Sequence, residues 1–261
     1  MLIRVISAAI LLPIVIGVIA LGGWPFYIAI VLIMLLAVYE FQQLMQHGDF
    51  QPPLLFGWLM ASSLLLDALF PEARAARPSV ALILVGSLTW QLNHRAGRPV
   101  ADWALAIVSG LYLGLAGEQF ILLRQLPAGE QWLLLTLTGT WLADSGAYFI
   151  GSRFGRHKMT PTLSPKKSWE GLMGGVIFGV LLNPIVAAVF DLPLIHGAVL
   201  GVIGATLGTL GDLSISMIKR QVGAKDSGRL IPGHGGMLDR LDSLLFTVII
   251  GYYYLIWIAR I

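Results

Sequence analysis

The sequence contains no cysteine, and only 12% of its 261 residues are charged. Without cysteine the chain has no disulfide bond, no thiolate metal ligand and no cysteine nucleophile. Three common catalytic patterns are also absent: the phosphate-binding loop G-x-x-x-x-G-K-[ST], the hydrolase pattern G-x-S-x-G and the zinc-protease pattern H-E-x-x-H. The sequence therefore excludes P-loop nucleotide binding and the serine and zinc hydrolases that these patterns define.

Apolar residues dominate what is present: they make up 57% of the chain, and the mean hydropathy is +0.80. A helix needs about 20 apolar residues to cross a bilayer. The sequence contains nine apolar runs, of which 80–91 is short: 2–21, 24–44, 53–70, 80–91, 101–123, 131–150, 171–190, 194–211 and 244–258. The first run is too long for a signal peptide and has no convincing cleavage site. We predict an all-α, polytopic integral membrane helical bundle with about nine transmembrane helices.

The distribution of basic residues predicts the orientation of this bundle. With nine spans and a cytoplasmic N-terminus, only Arg74, Arg77, Arg124 and Arg260 of the 17 basic residues lie outside. Cytoplasmic loops are enriched in Lys and Arg, so this orientation is preferred over its reverse. The N-terminal transmembrane region, 1–130, carries no motif. The C-terminal region, 131–261, is predicted to be catalytic, with cytoplasmic polar segments at 151–170 and 215–243.

The second polar segment concentrates carboxylates and basic residues. Asp212, Ser216 and Lys219 have the spacing of one helical face, with Arg220 next to Lys219. Asp239 and Asp242 are also spaced to share a face. Carboxylates beside basic residues are suited to hold Mg²⁺ together with substrate phosphates.

Glycines interrupt this segment. Gly223 and Gly228 are predicted to break the helix around Lys225 and Asp226, and residues 231–233, Ile-Pro-Gly, are predicted to form a turn. Gly235 and Gly236 allow the backbone to approach a ligand closely.

The first polar segment has two lysines, Lys166 and Lys167, immediately before a predicted helix, and Ser164 opens the preceding turn. Lysines and amide groups at a helix N-terminus suit a polyphosphate. A membrane anchor formed by the basic residues and Trp169 is the alternative. Asp144 lies near the predicted cytoplasmic end of the preceding apolar run, where a carboxylate is seldom kept without a function.

These two segments resemble the phosphatidate cytidylyltransferase family. Its signature S-x-[apolar]-K-R-x₄-K-D-x-[small]-x₂-[apolar]-[P/G]-x-H-G-G-[apolar]-x-D-R-[apolar]-D is followed from Ser216 to Asp242. Residues 164–171, SPKKSWEG, are similar to the family's S-P-K-K-[ST]-W-E-G. The resemblance implies transfer of the cytidylyl group of CTP to phosphatidate, which gives CDP-diacylglycerol and pyrophosphate in phospholipid synthesis.

The resemblance supports the motif residues, and we infer from their chemistry how the roles are divided among them and their neighbours. The expected metal ligands are Asp212 and Asp239, with Asp144 and Asp242 for a second ion or an outer position; the expected cofactor is Mg²⁺, and a second ion is left open. The expected catalytic residues are Asp212, Asp239, Lys219, Arg220, Lys225, Asp226 and Asp242. The expected substrate contacts are Ser164, Lys166, Lys167, Ser216, Arg229, His234, Gly235, Gly236 and Arg240.

The expected partners are CTP, phosphatidate and the lipid bilayer, and nucleic acid is not among them. The expected location is the bacterial inner membrane with the active site on the cytoplasmic side. A homodimer is left open.

Three other functions would use similar residues. An intramembrane aspartyl protease would use Asp144 and Asp212, but the required G-x-G-D motif is absent before Asp212. A transporter of anions predicts inverted repeats and polar groups at the midplane, and neither pattern is evident. A transferase that acts on a polyprenyl lipid shares the chemistry.

Overall fold

The computed structural model describes residues 2–94, 97–228, 230 and 235–261, except for the side chains of residues 2–8. The helices within these residues are α1 Leu2–Leu21, α2 Gly23–Gln46, α3 Leu54–Leu69, α4 Ala76–Asn93, α5 Pro99–Gln125, α6 Gly129–Phe154, α7 Trp169–Val189, α8 Leu194–Gln221 and α9 Leu238–Tyr253. A 3-10 turn at Pro71–Ala73 and a π-helical turn at Tyr254–Ala259 complete the helical structure. Each predicted apolar run coincides with one helix, so the all-α class is confirmed.

A small hairpin lies in the first polar segment, where no strand was predicted. Strand β1, Lys158–Thr160, pairs antiparallel with β2, Ser164–Ser168. The residues between the strands form the turn. Two short strands do not alter the fold class, but they fix the direction of the lysine side chains in β2.

Among the described residues, five helices are long and apolar enough to cross a membrane: Gly23–Gln46, Pro99–Gln125, Trp169–Val189, Leu194–Gln221 and Leu238–Ala259. Helix α7 also presents a stripe of exposed apolar side chains at four-residue spacing, formed by Met173, Ile177, Leu181 and Ile185. Such a stripe is stable against lipid tails and not against water. The protein is therefore an integral membrane protein, and the number of nine spans stays a prediction.

The chain divides into two compact units. Unit 1 comprises Met1–Leu122 and Lys219–Arg240, and unit 2 comprises Leu123–Ile218 and Leu241–Ile261. The second polar segment is thus shared between the units along the sequence. The predicted boundary near residue 130, between the N-terminal transmembrane region and the catalytic C-terminal region, stays a prediction.

In unit 1, α2 packs on α1 and α3, and α3 packs on α4. Glycines allow close helix contact, since a Cβ atom at Gly110 would lie 2.7 Å from the Cβ of Met60. Asp102 is buried at the start of α5, where it accepts hydrogen bonds from the backbone N–H groups of Gln51 (2.8 Å) and Arg98 (3.3 Å). A buried carboxylate in this unit can therefore serve purely to satisfy backbone donors.

In unit 2, α6 and α7 pack closely against each other. Asn183 of α7 is fully buried and donates to the carbonyl of Gly197 in α8 at 2.9 Å, while Thr138 of α6 donates to its Oδ1 at 3.0 Å. A Cβ atom at Gly179 would lie 2.5 Å from the carbonyl oxygen of Gly201. Small residues and interhelical amide bonds are the usual means of holding membrane helices together.

Candidate active site

Helix α8 carries the first residues of the second polar segment and ends at Gln221. Gly223 follows with φ +70°, a conformation that glycine adopts without strain. The guanidinium of Arg220 donates to the carbonyl of Ala224 at 2.7 Å and so closes the helix end. The prediction that a glycine breaks the helix here is confirmed, and Arg220 acts as a cap in this arrangement.

Unit 2 contains a group of three side chains that we call the lysine-bridged cluster: Asp144 on α6, Lys167 on β2 and Asp212 on α8. The ammonium of Lys167 lies 2.8 Å from Oδ2 of Asp212. Asp144 interacts electrostatically with both other members. The hydroxyl of Ser216 donates to Oδ1 of Asp212 at 3.2 Å, as the spacing on α8 predicted. Lys167 and Asp212, which are far apart in the sequence, thus form an ion pair within electrostatic reach of Asp144.

The hairpin explains why Lys167, and not Lys166, belongs to this cluster. Successive side chains on a strand point to opposite faces, and Lys166 is exposed while Lys167 is half-buried. Lys167 also donates to the carbonyl of Thr209 at 3.0 Å. The next residue, Ser168, is the N-cap of α7 and accepts from the N–H of Gly171 at 3.1 Å. This cap joins β2 directly to α7 and fixes the direction of Lys167.

Asp242 lies on α9 in the same unit. Its backbone carbonyl comes so close to Gly211 of α8 that any side chain there would overlap it. This contact places the Asp242 backbone beside the residue that precedes Asp212. The side-chain Oδ1 of Asp242 accepts from the N–H of Ser243 at 2.7 Å and from the hydroxyl of Ser243 at 3.1 Å.

Unit 1 contains a second group, which we call the buried loop network: Glu40, Lys219, Ser227 and Asp239. All four are at most 8% exposed. Lys219 lies 2.6 Å from Oδ1 of Asp239. Oδ2 of Asp239 accepts from the N–H of Ser227 (2.8 Å), the hydroxyl of Ser227 (3.0 Å) and the N–H of Gly236 (3.0 Å). Asp239 is therefore surrounded by donors of its own polar segment.

Glu40 is the member of this network that the sequence interpretation missed. It lies in the apolar helix α2, and its Oε1 accepts from the N–H of Met237 at 2.8 Å. Its Oε2 accepts from the N–H of Leu238 at 2.9 Å and from the hydroxyl of Ser227 at 3.2 Å. The sequence does contain a signal for Glu40, because it is a carboxylate inside an apolar run. Burying such a charge in a membrane costs free energy, so it is seldom kept without a function.

The glycines of the segment accommodate these carboxylates. Gly235 has φ +79°, and a Cβ atom there would lie 2.5 Å from Oδ2 of Asp239. A Cβ atom at Gly228 would lie 3.0 Å from Oε1 of Glu40, and one at Gly236 would overlap Oε2. The expected close approach of the backbone is present, but in this structure its partners are Glu40 and Asp239.

The other predicted site residues fall into three groups. The exposed side chains are Lys166, Arg220, Lys225, Asp226 and Arg240, and Ser164 is half-buried. Arg229, His234 and the predicted turn at 231–233 lie outside the described residues. The structure brings together Asp144, Lys167, Asp212 and Ser216 in unit 2, and Lys219 with Asp239 in unit 1.

The two carboxylate groups differ in their fit to Mg²⁺. A carboxylate has about four lone-pair positions, and Asp239 already accepts from four donors. Asp212 is 35% exposed, and Asp144 is exposed. Among the described residues, no three acidic or histidine side chains could enclose a metal ion by themselves. An ion at the lysine-bridged cluster would take further oxygen ligands from substrate phosphate and water, as Mg²⁺ commonly does.

A cavity of about 720 Å³ opens beside the hairpin. Arg156, Lys158 and Trp169 line it, together with His157 and Glu170, whose Nδ1 and Oε1 atoms lie 2.5 Å apart. Basic side chains next to an exposed tryptophan are typical of a membrane interface that meets anionic headgroups.

Comparison with known proteins places this architecture in a family. A profile described as the cytidylyltransferase family matches residues 2–258. A phosphatidate cytidylyltransferase of Synechocystis is 34% identical over 97% of this chain and 96% of that protein. The protein of the same name from Bacillus subtilis is 30% identical over 97% of this chain and 96% of its own. The one from Haemophilus influenzae is 32% identical, with coverage of 96% and 97%. The chain therefore belongs to the cytidylyltransferase family.

Proposed function

We propose that the protein transfers the cytidylyl group of CTP to phosphatidate and releases pyrophosphate. The observation that carries this proposal is the similarity, over nearly the full length of both chains, to proteins named phosphatidate cytidylyltransferase. The product, CDP-diacylglycerol, is an activated lipid for phospholipid synthesis.

The reaction needs charge neutralisation more than a protein nucleophile. An oxygen of the phosphatidate phosphate attacks the α-phosphorus of CTP, and a new P–O bond forms. The bond from that phosphorus to the oxygen bridging to the β-phosphate breaks, and pyrophosphate leaves with the electron pair. Because both substrates are anions, their approach and the departing charge must be compensated by fixed positive groups.

In unit 2, Asp212 and Asp144, with Asp242 nearby, are the residues that would hold Mg²⁺. When bound, Mg²⁺ supplies positive charge to the triphosphate and the leaving pyrophosphate. Lys167 holds Asp212 in a single orientation through its 2.8 Å contact, and Ser216 holds the other oxygen. Two hydrogen-bonded oxygens give the carboxylate a defined direction before any ligand arrives.

In unit 1, the exposed residues Lys225 and Arg240 are the proposed phosphate-binding groups of the second polar segment. Lys219 is engaged with Asp239, so we assign it to holding the segment in place. The cavity at Arg156 and Lys158 is the proposed contact for the phosphatidate headgroup at the membrane interface.

We extend the proposal to the bacterial inner membrane, with both polar segments on the cytoplasmic side. The supporting arguments are the distribution of basic residues and the cytoplasmic supply of CTP. A homodimer can be tested by light scattering of the purified protein in detergent.

The decisive experiment supplies radiolabelled CTP and defined lipid phosphates to the purified protein in mixed micelles. We expect label in CDP-diacylglycerol with phosphatidate, with pyrophosphate released in equal amount. Transfer to a polyprenyl phosphate in preference to phosphatidate would contradict the assigned lipid. Transfer from UTP or ATP at the rate of CTP would contradict the assigned nucleotide.

A further inference from the structure

The catalytic proposal leaves the buried carboxylate of Glu40 without a role. Glu40 is only 6% exposed and lies in a helix that otherwise reads as a membrane span. Its oxygens accept from the N–H groups of Met237 and Leu238 where α9 begins. A negative charge at a helix N-terminus is stabilised by the unpaired N–H groups and the helix dipole.

Glu40 also reaches the other side of the loop that precedes α9. The hydroxyl of Ser227 lies 3.2 Å from Oε2 of Glu40 and 3.0 Å from Oδ2 of Asp239. Ser227 follows α8 by a few residues, and Leu238 is the first residue of α9. One carboxylate of α2 therefore contacts the segment between α8 and α9 at two points: at Ser227 and at Met237, the residue before α9.

The small residues of the loop fit this contact. A Cβ atom at Gly228 would come within 3.0 Å of Oε1 of Glu40, and a Cβ atom at Gly236 would overlap Oε2. Two glycines of the polar segment thus leave space for the glutamate.

Resting on the proposed function, we infer that Glu40 is a positioning residue for nucleotide transfer. It fixes the loop ends at Ser227 and Met237, and through them the Lys219–Asp239 pair and the exposed Lys225. Binding groups that are held in place before the ligand arrives lose less freedom on binding. The affinity for CTP phosphates should therefore depend on Glu40, although Glu40 touches no substrate.

The test replaces Glu40 with glutamine, which keeps the size but turns an acceptor oxygen into an NH₂ donor. We expect the KM for CTP to rise about tenfold, the fold-change that matches one lost charge-assisted hydrogen bond. Mere loss of folded enzyme lowers the maximal rate and leaves the KM unchanged. An unchanged KM in the inserted variant would overturn the inference.

Asp102→Asn is the matched control. Asp102 is also buried in unit 1, at 3% exposed, and also accepts from two backbone N–H groups. The two substitutions remove the same charge, but Asp102 contacts no residue of the loop network in the described structure. We expect the KM of this variant to stay within about twofold of wild type. Equal rises in both variants would overturn the inference, because they would indicate a general cost of losing a buried carboxylate.

A second measurement needs no enzymatic activity. The chain lacks cysteine, so Ser227→Cys introduces one thiol at a position that is 7% exposed. Adding Glu40→Gln should speed its reaction with a maleimide about tenfold, and adding Asp102→Asn should not. If labelling changes as expected while the wild-type protein fails to transfer from CTP, the proposed function fails and the positioning contact stands. The Ser227→Cys background lacks the serine hydroxyl but keeps the hydrogen bonds from the N–H groups of Met237 and Leu238 to Glu40. Equal labelling rates would therefore overturn the holding role of those two bonds.

Gly236→Ala provides an independent route if Glu40→Gln does not insert. Its Cβ atom would displace the Glu40 carboxylate and the Ser227 hydroxyl from the loop side, without leaving an altered charge in α2. We expect the same rise in the KM for CTP and the same faster labelling of Ser227→Cys. Wild-type values of both quantities in this variant would overturn the inference.

Discussion

The lysine-bridged cluster of unit 2 and the buried loop network of unit 1 use the same side-chain types under different conditions. In the cluster, Asp212 has one lysine and one hydroxyl as partners and remains 35% exposed. In the network, the Asp239 side chain is 6% exposed and accepts from a lysine, a hydroxyl and two backbone N–H groups. The first carboxylate retains access to a ligand, whereas the second is surrounded by donors of its own polar segment. The same side-chain type in a sequence can therefore be open to a ligand in one place and enclosed by hydrogen-bond donors in another.

The largest expected effect is on stability, from Asp239→Asn. This change removes the charge that compensates a buried lysine, and breaking such a pair costs about 3–5 kcal/mol. Thermal unfolding in detergent should begin at a clearly lower temperature than in the wild type. Adding Lys219→Met should recover part of the loss, because no unpaired charge then remains. An unchanged unfolding temperature with lost activity would instead support Asp239 as the metal ligand that the sequence suggested.

The second-largest expected effect is a loss of catalytic activity in the Asp212→Asn variant. We expect activity to fall by roughly 10²–10³, the range found when one strong electrostatic group is removed. The unfolding temperature should stay near wild type because Asp212 is half-exposed. After metal is removed with a chelator and Mg²⁺ is titrated back, the variant should also need a higher Mg²⁺ concentration than the wild type to reach half of its maximal rate.

Asp191→Asn is the control for that change. Asp191 is an exposed aspartate of the same unit with φ +55°, which asparagine also tolerates. We expect wild-type turnover and wild-type Mg²⁺ dependence. Full activity of Asp212→Asn would exclude the lysine-bridged cluster from the active site.

A smaller effect separates the two lysines of β2. Lys167→Gln removes the partner of Asp212 and should lower kcat/KM about tenfold. Lys166→Gln changes an exposed side chain on the opposite face and should stay within about twofold. The measurement is the kcat/KM of Lys167→Gln divided by the kcat/KM of Lys166→Gln. Equal losses would show that the pair acts jointly as a polyphosphate clamp, as the sequence alone suggested.

The smallest effect concerns orientation and should leave activity unchanged. Thr162→Cys in the hairpin turn and Ala73→Cys after α3 are both exposed. An impermeant maleimide should label Ala73→Cys in intact cells and Thr162→Cys only after the inner membrane is opened. Ser227 is unsuited to this test because its side chain is buried. Labelling of Thr162→Cys from outside would reverse the predicted topology.

Local patterns in the sequence were sufficient for much of the molecule. Apolar run length located the helices, and the glycine at 223 located the end of α8. The four-residue spacing of Asp212 and Ser216 predicted that they share a helical face, and in the structure they are hydrogen-bonded. Each of these features depends on neighbours within one or two helical turns, which a sequence displays directly.

Local patterns did not show which distant residues contact each other in the folded protein. The sequence treated Lys166 and Lys167 as equivalent, and a two-stranded hairpin separated them onto opposite faces. It assigned the approach of Gly235 and Gly236 to a ligand, whereas Asp239 and Glu40 lie there in the structure. Periodicity states which face a residue occupies and does not state what stands opposite that face.

By itself, then, the sequence determined the helical membrane class, the polar segments and the resemblance to a family. Tertiary structure alone decided which carboxylates are free to meet a ligand. Glu40 and Met237 are separated by 197 positions and joined by one hydrogen bond of 2.8 Å. The physical reason is that a buried carboxylate takes whatever donors packing brings to it, and those donors come from distant parts of the chain.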